Sequence, residues 1–227
     1  MICREGGLRM FTYYMPTQVF FGKGCIAESG QVLADLGKRA LLVTGRHSAK
    51  VNGSQDAFTG KLDELGISWY LFDEVENNPS IDTIQRAAAF AKEKGVDFVV
   101  GIGGGSPMDA AKAIALLCTD DLDDEQLFKG PYKKPLPIVA VPTTAGTGSE
   151  VTKVSVLTNV HAGTKQSINT PLIFPVYAFA DPSFTESVSQ TVTIDTAIDA
   201  LSHAVEGYMS KLSTPMSDVW AEEAMRF

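Results

Sequence analysis

Asp97-Phe-Val-Val-Gly-Ile-Gly-Gly-Gly-Ser-Pro-Met-Asp-Ala-Ala-Lys112 decides the fold. An apolar run of strand length passes through Gly103, Gly104 and Gly105 into a stretch with helical composition. Glycines let a backbone approach a bulky anion and present its amide N–H groups, and a helix N-terminus adds a favourable dipole, so the junction reads as a phosphate seat. Ser106 as N-cap, Pro107 at the first helical position and Asp109 three residues after the cap predict where the helix begins. The loop matches neither common phosphate template. Ser106 stands where Gly-x-Gly-x-x-Gly has its last glycine, and the chain holds no Gly-x-x-x-x-Gly-Lys-[Ser/Thr]. A tight strand-to-helix turn without a ligand is the competing reading.

Outward from this junction the same alternation repeats. Residues 31–37 read as the end of a helix with Val32, Leu33 and Leu36 inward, and 40–44 as a buried strand. Residues 56–64 read as a helix closed by Gly66, and 69–75 as a strand; 81–94 form a helix ended by Gly95. A helix over 106–118, an acidic loop over 120–125, a strand over 137–141, a β-hairpin over 151–168 turning near Gly163, and a strand over 176–180 follow. After Phe184 the pattern is helical alone. Glycine closing a helix just before a strand begins is the habit of α/β chains. The expected architecture is therefore a dinucleotide-binding parallel-sheet α/β domain over 10–183, followed by the start of an all-helical domain over 184–227.

A chain of 227 residues, 44% of them hydrophobic, can bury a full core. A net charge of −8 with no Lys/Arg cluster argues against nucleic acid and for a small-molecule partner, with a homodimer left open. No stretch approaches the roughly 18 to 20 apolar residues of a membrane span. Cys3, Cys25 and Cys118 are odd in number and widely spaced, which predicts reduced thiols in a cytoplasmic protein. Residues 1–9 carry little pattern, and Met10 looks a better structural start. Residues 219–227 read as an amphipathic helix with no terminating signal, so the chain reads as cut.

Two further loops follow predicted strands. Pro142-Thr-Thr-Ala-Gly-Thr-Gly-Ser-Glu150 offers hydroxyl and backbone donors without positive charge; a solvated loop is the alternative. In Thr44-Gly45-Arg46-His47-Ser48, an NAD site would place an acidic residue near the ribose 2′-hydroxyl, whereas a 2′-phosphate wants that charge absent and an arginine near. Gly45 and Arg46 therefore favour NADP, with NAD as the second option, and a surface turn competes with both. Asp199 and His203, four apart on a predicted helix, share one face and suit one metal ion. They make half a site. The other histidines, His47 and His161, lie far upstream. The stripe Ile194, Ile198, Leu201, Val205 and Tyr208 predicts that the pair lies at the edge of a buried face; a solvated pair is the plainer alternative.

Together, the blocks at 103–112, 142–152 and 199–208 resemble the iron-containing (group III) alcohol dehydrogenases, and the likeness runs from about Phe11 to Phe227. The resemblance implies cofactor pyrophosphate and nicotinamide ribose against Gly103, Gly104, Gly105 and Ser106, with Asp109, Thr143, Thr144 and Thr147 close by and Lys165 reaching the cofactor. It implies Asp199 and His203 as catalytic metal ligands for Fe(II) or Zn(II), with two further histidine ligands outside this chain, and Gly45 where many NAD-using members carry Asp. The implied activity is metal-dependent interconversion of a small alcohol and its aldehyde or ketone with NAD(P). A zinc-dependent glycerol or polyol dehydrogenase, and a non-catalytic NADP-binding fragment, are the alternatives.

Overall fold

A computed structural model of the protein describes residues 10–226, so Cys3, the rest of the stretch 1–9 and Phe227 lie outside it. In chain order the elements are β1 (Gln18–Phe21), α1 (Cys25–Ser29), β2 (Arg39–Thr44), α2 (Ser48–Val51), α3 (Ser54–Glu64), β3 (Ser68–Phe72), α4 (Ile81–Lys94), β4 (Phe98–Gly103), α5 (Gly105–Thr119), α6 (Asp124–Lys129) and β5 (Ile138–Pro142). The hairpin β6 (Val154–Asn159) and β7 (Thr164–Asn169), then β8 (Tyr177–Ala180), α7 (Gln190–Met209) and α8 (Pro215–Ala224) complete it.

Six strands form one parallel sheet in the order β1-β8-β5-β4-β2-β3. Every side chain of β4 and β5 is buried, as a sheet covered on both faces requires. Alternate residues serve opposite layers. Leu41, Val43 and Val99 pack with Ile84 and Ile114, while Leu42, Val100 and Ile102 pack with Phe58, Leu62 and Phe179. From β2 the chain moves outward to β3 and then returns to β4 on the other side of β2. The carboxyl ends of β2 and β4 therefore flank a topological switch point, where open α/β sheets leave a crevice for ligands.

Helix α5 lies unusually close to its own strand. A Cβ on Gly101 would stand 2.9 Å from Met108 Cα and 3.0 Å from Pro107 O, and one on Gly103, whose φ is +148°, would stand 2.7 Å from Pro107 Cγ. Gly101 and Gly103 of this junction thus serve packing.

Several boundaries differ from the sequence expectation. Gly104, not Ser106, is the N-cap of α5, and no side chain caps it. The Ser106 hydroxyl instead accepts from the Asn78 N–H at 3.1 Å, and the Asp109 carboxylate turns inward. The acidic stretch expected to be a loop runs, from Asp124, into α6. Asp123 accepts from the amides of Glu125 and Gln126, and the Gln126 side chain accepts from the Asp123 amide, a reciprocal cap that the run of charges concealed. Residues Gly30–Asp35 form a 3₁₀ turn continuing α1, and β3 stops at Phe72. Strand β1 leaves no mark in the sequence, because a four-residue edge strand exposed at three positions has no alternation to read. No helix among the described residues is long and apolar enough to cross a membrane.

Gly101→Ala is expected to destabilise the fold by about 1–3 kcal/mol through overpacking, measured by urea unfolding. An unchanged midpoint would mean that α5 can stand off the strand at no cost.

Candidate functional site

Three loops meet at the carboxyl edge of the sheet. Gly45 and Arg46 follow β2, Gly104 to Ser106 follow β4, and Thr143 to Gly148 follow β5. The second and third interlock: the Thr143 amide donates to Gly103 O at 2.9 Å. A Cβ on Gly104 would come within 3.2 Å of Thr144 Oγ1, and one on Gly105 within 3.0 Å of Thr147 Cγ2. The structure therefore brings Gly103, Gly104, Gly105, Ser106, Thr143, Thr144 and Thr147 together around a half-buried helix N-terminus. Gly45 is different. A Cβ there would make only an ordinary 3.5 Å contact with Val75 O, so neither packing nor φ requires a glycine.

Beneath the loops lies a polar cluster that the sequence did not reveal. Lys112 is fully buried, and its Nζ donates to Val154 O at 2.7 Å, Ser149 Oγ at 2.8 Å and Thr152 Oγ1 at 3.3 Å. Asp109 Oδ1 stands 3.7 Å from that amine, an ion pair without a direct hydrogen bond. Asp109 accepts from Ser149 Oγ at 2.6 Å and from the Val156 amide at 3.0 Å, and its carbonyl accepts from Ser155 Oγ at 2.8 Å. Both oxygens of this carboxylate are thus engaged with protein donors that join α5 to β6. Burial pushes the Lys112 amine down to about 8 against the opposing pull of Asp109 and Glu150. It raises the Asp109 and Glu150 carboxyls from their ordinary values. The overlooked signal was a lone cation inside the helical run Ala110-Ala-Lys112-Ala-Ile-Ala-Leu-Leu117.

Lys165, on β7, reaches the glycine loop through an intermediary. Its Nζ donates to Asn78 Oδ1 at 2.8 Å, and Asn78 in turn donates its amide to Ser106.

Asp199 and His203 lie on α7, with Oδ1 and Nε2 3.8 Å apart and both side chains about half exposed. One turn before Asp199, Thr196 is seated on the second glycine loop: a Cβ on Gly146 would stand 2.7 Å from Thr196 O. The pair thus stands one turn from the contact with the loop that follows β5. A carboxylate and an imidazole accessible on one helix face suit a divalent metal as two of its ligands. Among the described residues no group of three His, Cys, Asp or Glu side chains is placed to hold an ion. The expected buried face is not found here. Ile194, Ile198, Leu201 and Val205 are exposed and Tyr208 is only partly covered, because within the described chain α7 packs chiefly on α8 and buries only Ala204. His161 sits in the turn between β6 and β7 with Nε2 3.3 Å from Asp82, and His47 is exposed after β2, so neither joins the pair. Cys25 and Cys118 are free thiols that burial pushes up to about 11.

The family model described as iron-containing alcohol dehydrogenase matches residues 16–182, and its companion, described as the C-terminal part of the Fe-containing family, matches 193–227. The chain is 34% identical over 225 residues to a long-chain primary alcohol dehydrogenase of Thermoanaerobacter ethanolicus, covering 96% of this chain and 56% of that protein. It is 37% identical over 202 residues to the NADH-dependent butanol dehydrogenase A of Clostridium acetobutylicum, covering 88% and 52%. The crystal structure of an iron-containing alcohol dehydrogenase from Thermotoga maritima superposes with a TM-score of 0.91 at 52% identity, covering 96% of this chain and 60% of that one. The chain spans somewhat over half the length of the curated relatives it matches.

Lys112→Met leaves Asp109 buried without its counter-charge and is expected to cost roughly 2–4 kcal/mol of stability. The unfolded chain holds the lysine proton up to the ordinary 10.5, whereas the folded chain releases it near 8, so stability gained from Lys112 grows as pH rises between those values. Urea unfolding across that window is expected to show the gap between parent and variant widening with pH. A constant gap would mean that the amine titrates where an exposed lysine does.

Proposed function

Because the chain belongs to the iron-containing alcohol dehydrogenase family, we propose that it acts in the metal-dependent interconversion of a small alcohol and its aldehyde or ketone, with a nicotinamide dinucleotide as hydride carrier. The observation that carries this reading is the pair of interlocked glycine loops after β4 and β5, at the carboxyl edge of the sheet next to the β2/β4 switch point, with α7, which bears Asp199 and His203, seated on the second of them at Gly146.

Within that reading, residues 10–183 form the cofactor-binding domain and 184–227 contribute to a helical metal-binding one. The amides of Gly104, Gly105 and Ser106 receive the pyrophosphate, with the hydroxyls of Thr143, Thr144 and Thr147 along the facing wall and Lys165 supplying positive charge. Asp109 serves as scaffold, since its oxygens are engaged by Ser149 and Val156. The bound dinucleotide supplies the hydride acceptor or donor. Asp199 and His203 are two ligands of a divalent metal, Fe(II) or Zn(II), which supplies Lewis acidity at the substrate oxygen. What the chain itself does is orient: α7, docked through Thr196 on Gly146, holds the ligand pair against the loop that lines the cofactor crevice.

The Clostridium relative is named for NADH. Here Gly45 places no carboxylate after β2 and Arg46 is exposed next to it, so NADP is the preferred cofactor with NAD as the lesser one. A cytoplasmic location and a homodimer belong to the same proposal.

Fluorescence titration is expected to show tighter binding of NADPH than of NADH. Gly45→Asp, which the local space accommodates, should reverse the order by weakening NADPH about 10- to 100-fold through repulsion of the 2′-phosphate. Equal binding of both dinucleotides by the parent would overturn the NADP preference. In a form that spans the full length of the relatives, Asp199→Ala should abolish iron or zinc retention, read by elemental analysis, while changing dinucleotide affinity by less than about threefold. Undiminished metal content would remove Asp199 from the ligand set.

A further inference from the structure

Asn78 is the one non-glycine residue among those described with a positive φ, at 57°. Asparagine tolerates the left-handed region better than most side chains, but holding it there requires support from the surroundings. That support is unusually complete. Glu76 Oε1 accepts from the Ser80 amide at 2.8 Å, from Ser80 Oγ at 2.7 Å and from Thr83 Oγ1 at 3.0 Å, fixing the far side of the loop to the start of α4. On the near side the Val75 amide donates to Thr44 O at 3.2 Å.

Between these anchors each backbone polar group of Asn78 is engaged by a different element. Its N–H donates to Ser106 Oγ at the head of α5, and its C=O accepts from Thr158 Oγ1 on β6 at 3.0 Å. Its side-chain oxygen accepts from Lys165 Nζ at 2.8 Å. Thr158 and Lys165 face each other across the hairpin, so one residue grips both members of a cross-strand pair. An ammonium only donates, which fixes the amide with its oxygen toward Lys165 and its NH₂ turned away.

We propose that Asn78 is a positioning residue, which holds the Lys165 ammonium beside the glycine loop in the orientation needed to meet the cofactor. The proposal rests on the reading that Lys165 reaches a dinucleotide. A lysine on an exposed strand otherwise surveys many rotamers, and each binding event would have to freeze them. Tethering the amine to a strained, doubly anchored residue removes that cost beforehand, and it couples the hairpin to the loop after β4 through Ser106.

The test uses the full chain, with NADPH and NADH as probes in fluorescence titrations of the parent, Asn78→Gly, Lys165→Met and the double variant. Glycine keeps the left-handed backbone and both main-chain hydrogen bonds, so only the side-chain tether is lost. Each single variant is expected to raise Kd about tenfold, and the double variant no further than the singles. Peptide mapping after amine acylation should show Lys165 reacting faster in Asn78→Gly, with Asn78→Asp restoring the parental rate. The proposal is overturned if Asn78→Gly leaves Kd and Lys165 reactivity unchanged, or if its loss adds in full to that of Lys165→Met. A parent that binds while Lys165→Met binds equally well removes the role of Lys165 and this proposal with it. A parent that binds neither dinucleotide overturns the functional reading itself.

Discussion

A helix can approach a strand only as closely as the side chains between them permit, and at the centre of this sheet one of those side chains is missing. The bare Cα of Gly101 lets Met108 and Pro107 descend to a distance that a methyl group would forbid. That seating fixes the axis of α5, and with it the direction in which the first amides of the helix point. It also determines where Lys112 lies, one turn beyond Met108 and enclosed completely. Both the glycine loop at the head of α5 and the polar cluster behind it therefore depend on the same close approach.

The buried cluster shows how a charge can be retained where a hydrocarbon would fit more cheaply. Desolvation opposes the charged forms of Lys112 and Asp109, and their mutual attraction at 3.7 Å does not cancel the cost. What the pair provides is directional bonding to Ser149, Thr152, Val154 and Val156, which fixes the register of the hairpin on α5. A methyl-lined contact of equal area would let the hairpin slide. Since Lys165 and Thr158 stand on that hairpin and both bond Asn78, its register is part of the geometry around Ser106.

Most of the central sheet was legible because β2, β4 and β5 are apolar on both faces, and glycines with positive φ, Gly37 and Gly95, stand just before β2 and β4. The two glycine loops and the Asp199–His203 pair were equally visible as short local patterns. What escaped was held by contacts distant in sequence. Asn78 lies 87 residues from Lys165, and Lys112 lies 37 from Ser149. Strand β1 is defined only by its partner. The apolar stripe on α7 is legible as a stripe, yet among the described residues it is uncovered, because periodicity reports which residues share a face and not what lies opposite. Ser106 obeyed the rules for an N-cap, yet the triple glycine had already admitted the helix two residues earlier.

Strand β1 enters the sheet beside β8, with Phe20 stacked on Phe179 at 4.9 Å between ring centroids. Thr17 and Pro175, which close the pair, are 158 residues apart. A ribosome adding about 5–20 residues per second would leave the first strand without its neighbour for roughly ten to thirty seconds, while β2, β3, β4 and β5 are already available to one another. The sheet thus has a built-in order of assembly, from its middle towards the edge that was translated first. During that interval Val19, Phe20 and Phe21 are a short, uncharged, aromatic segment without the strand that pairs with them.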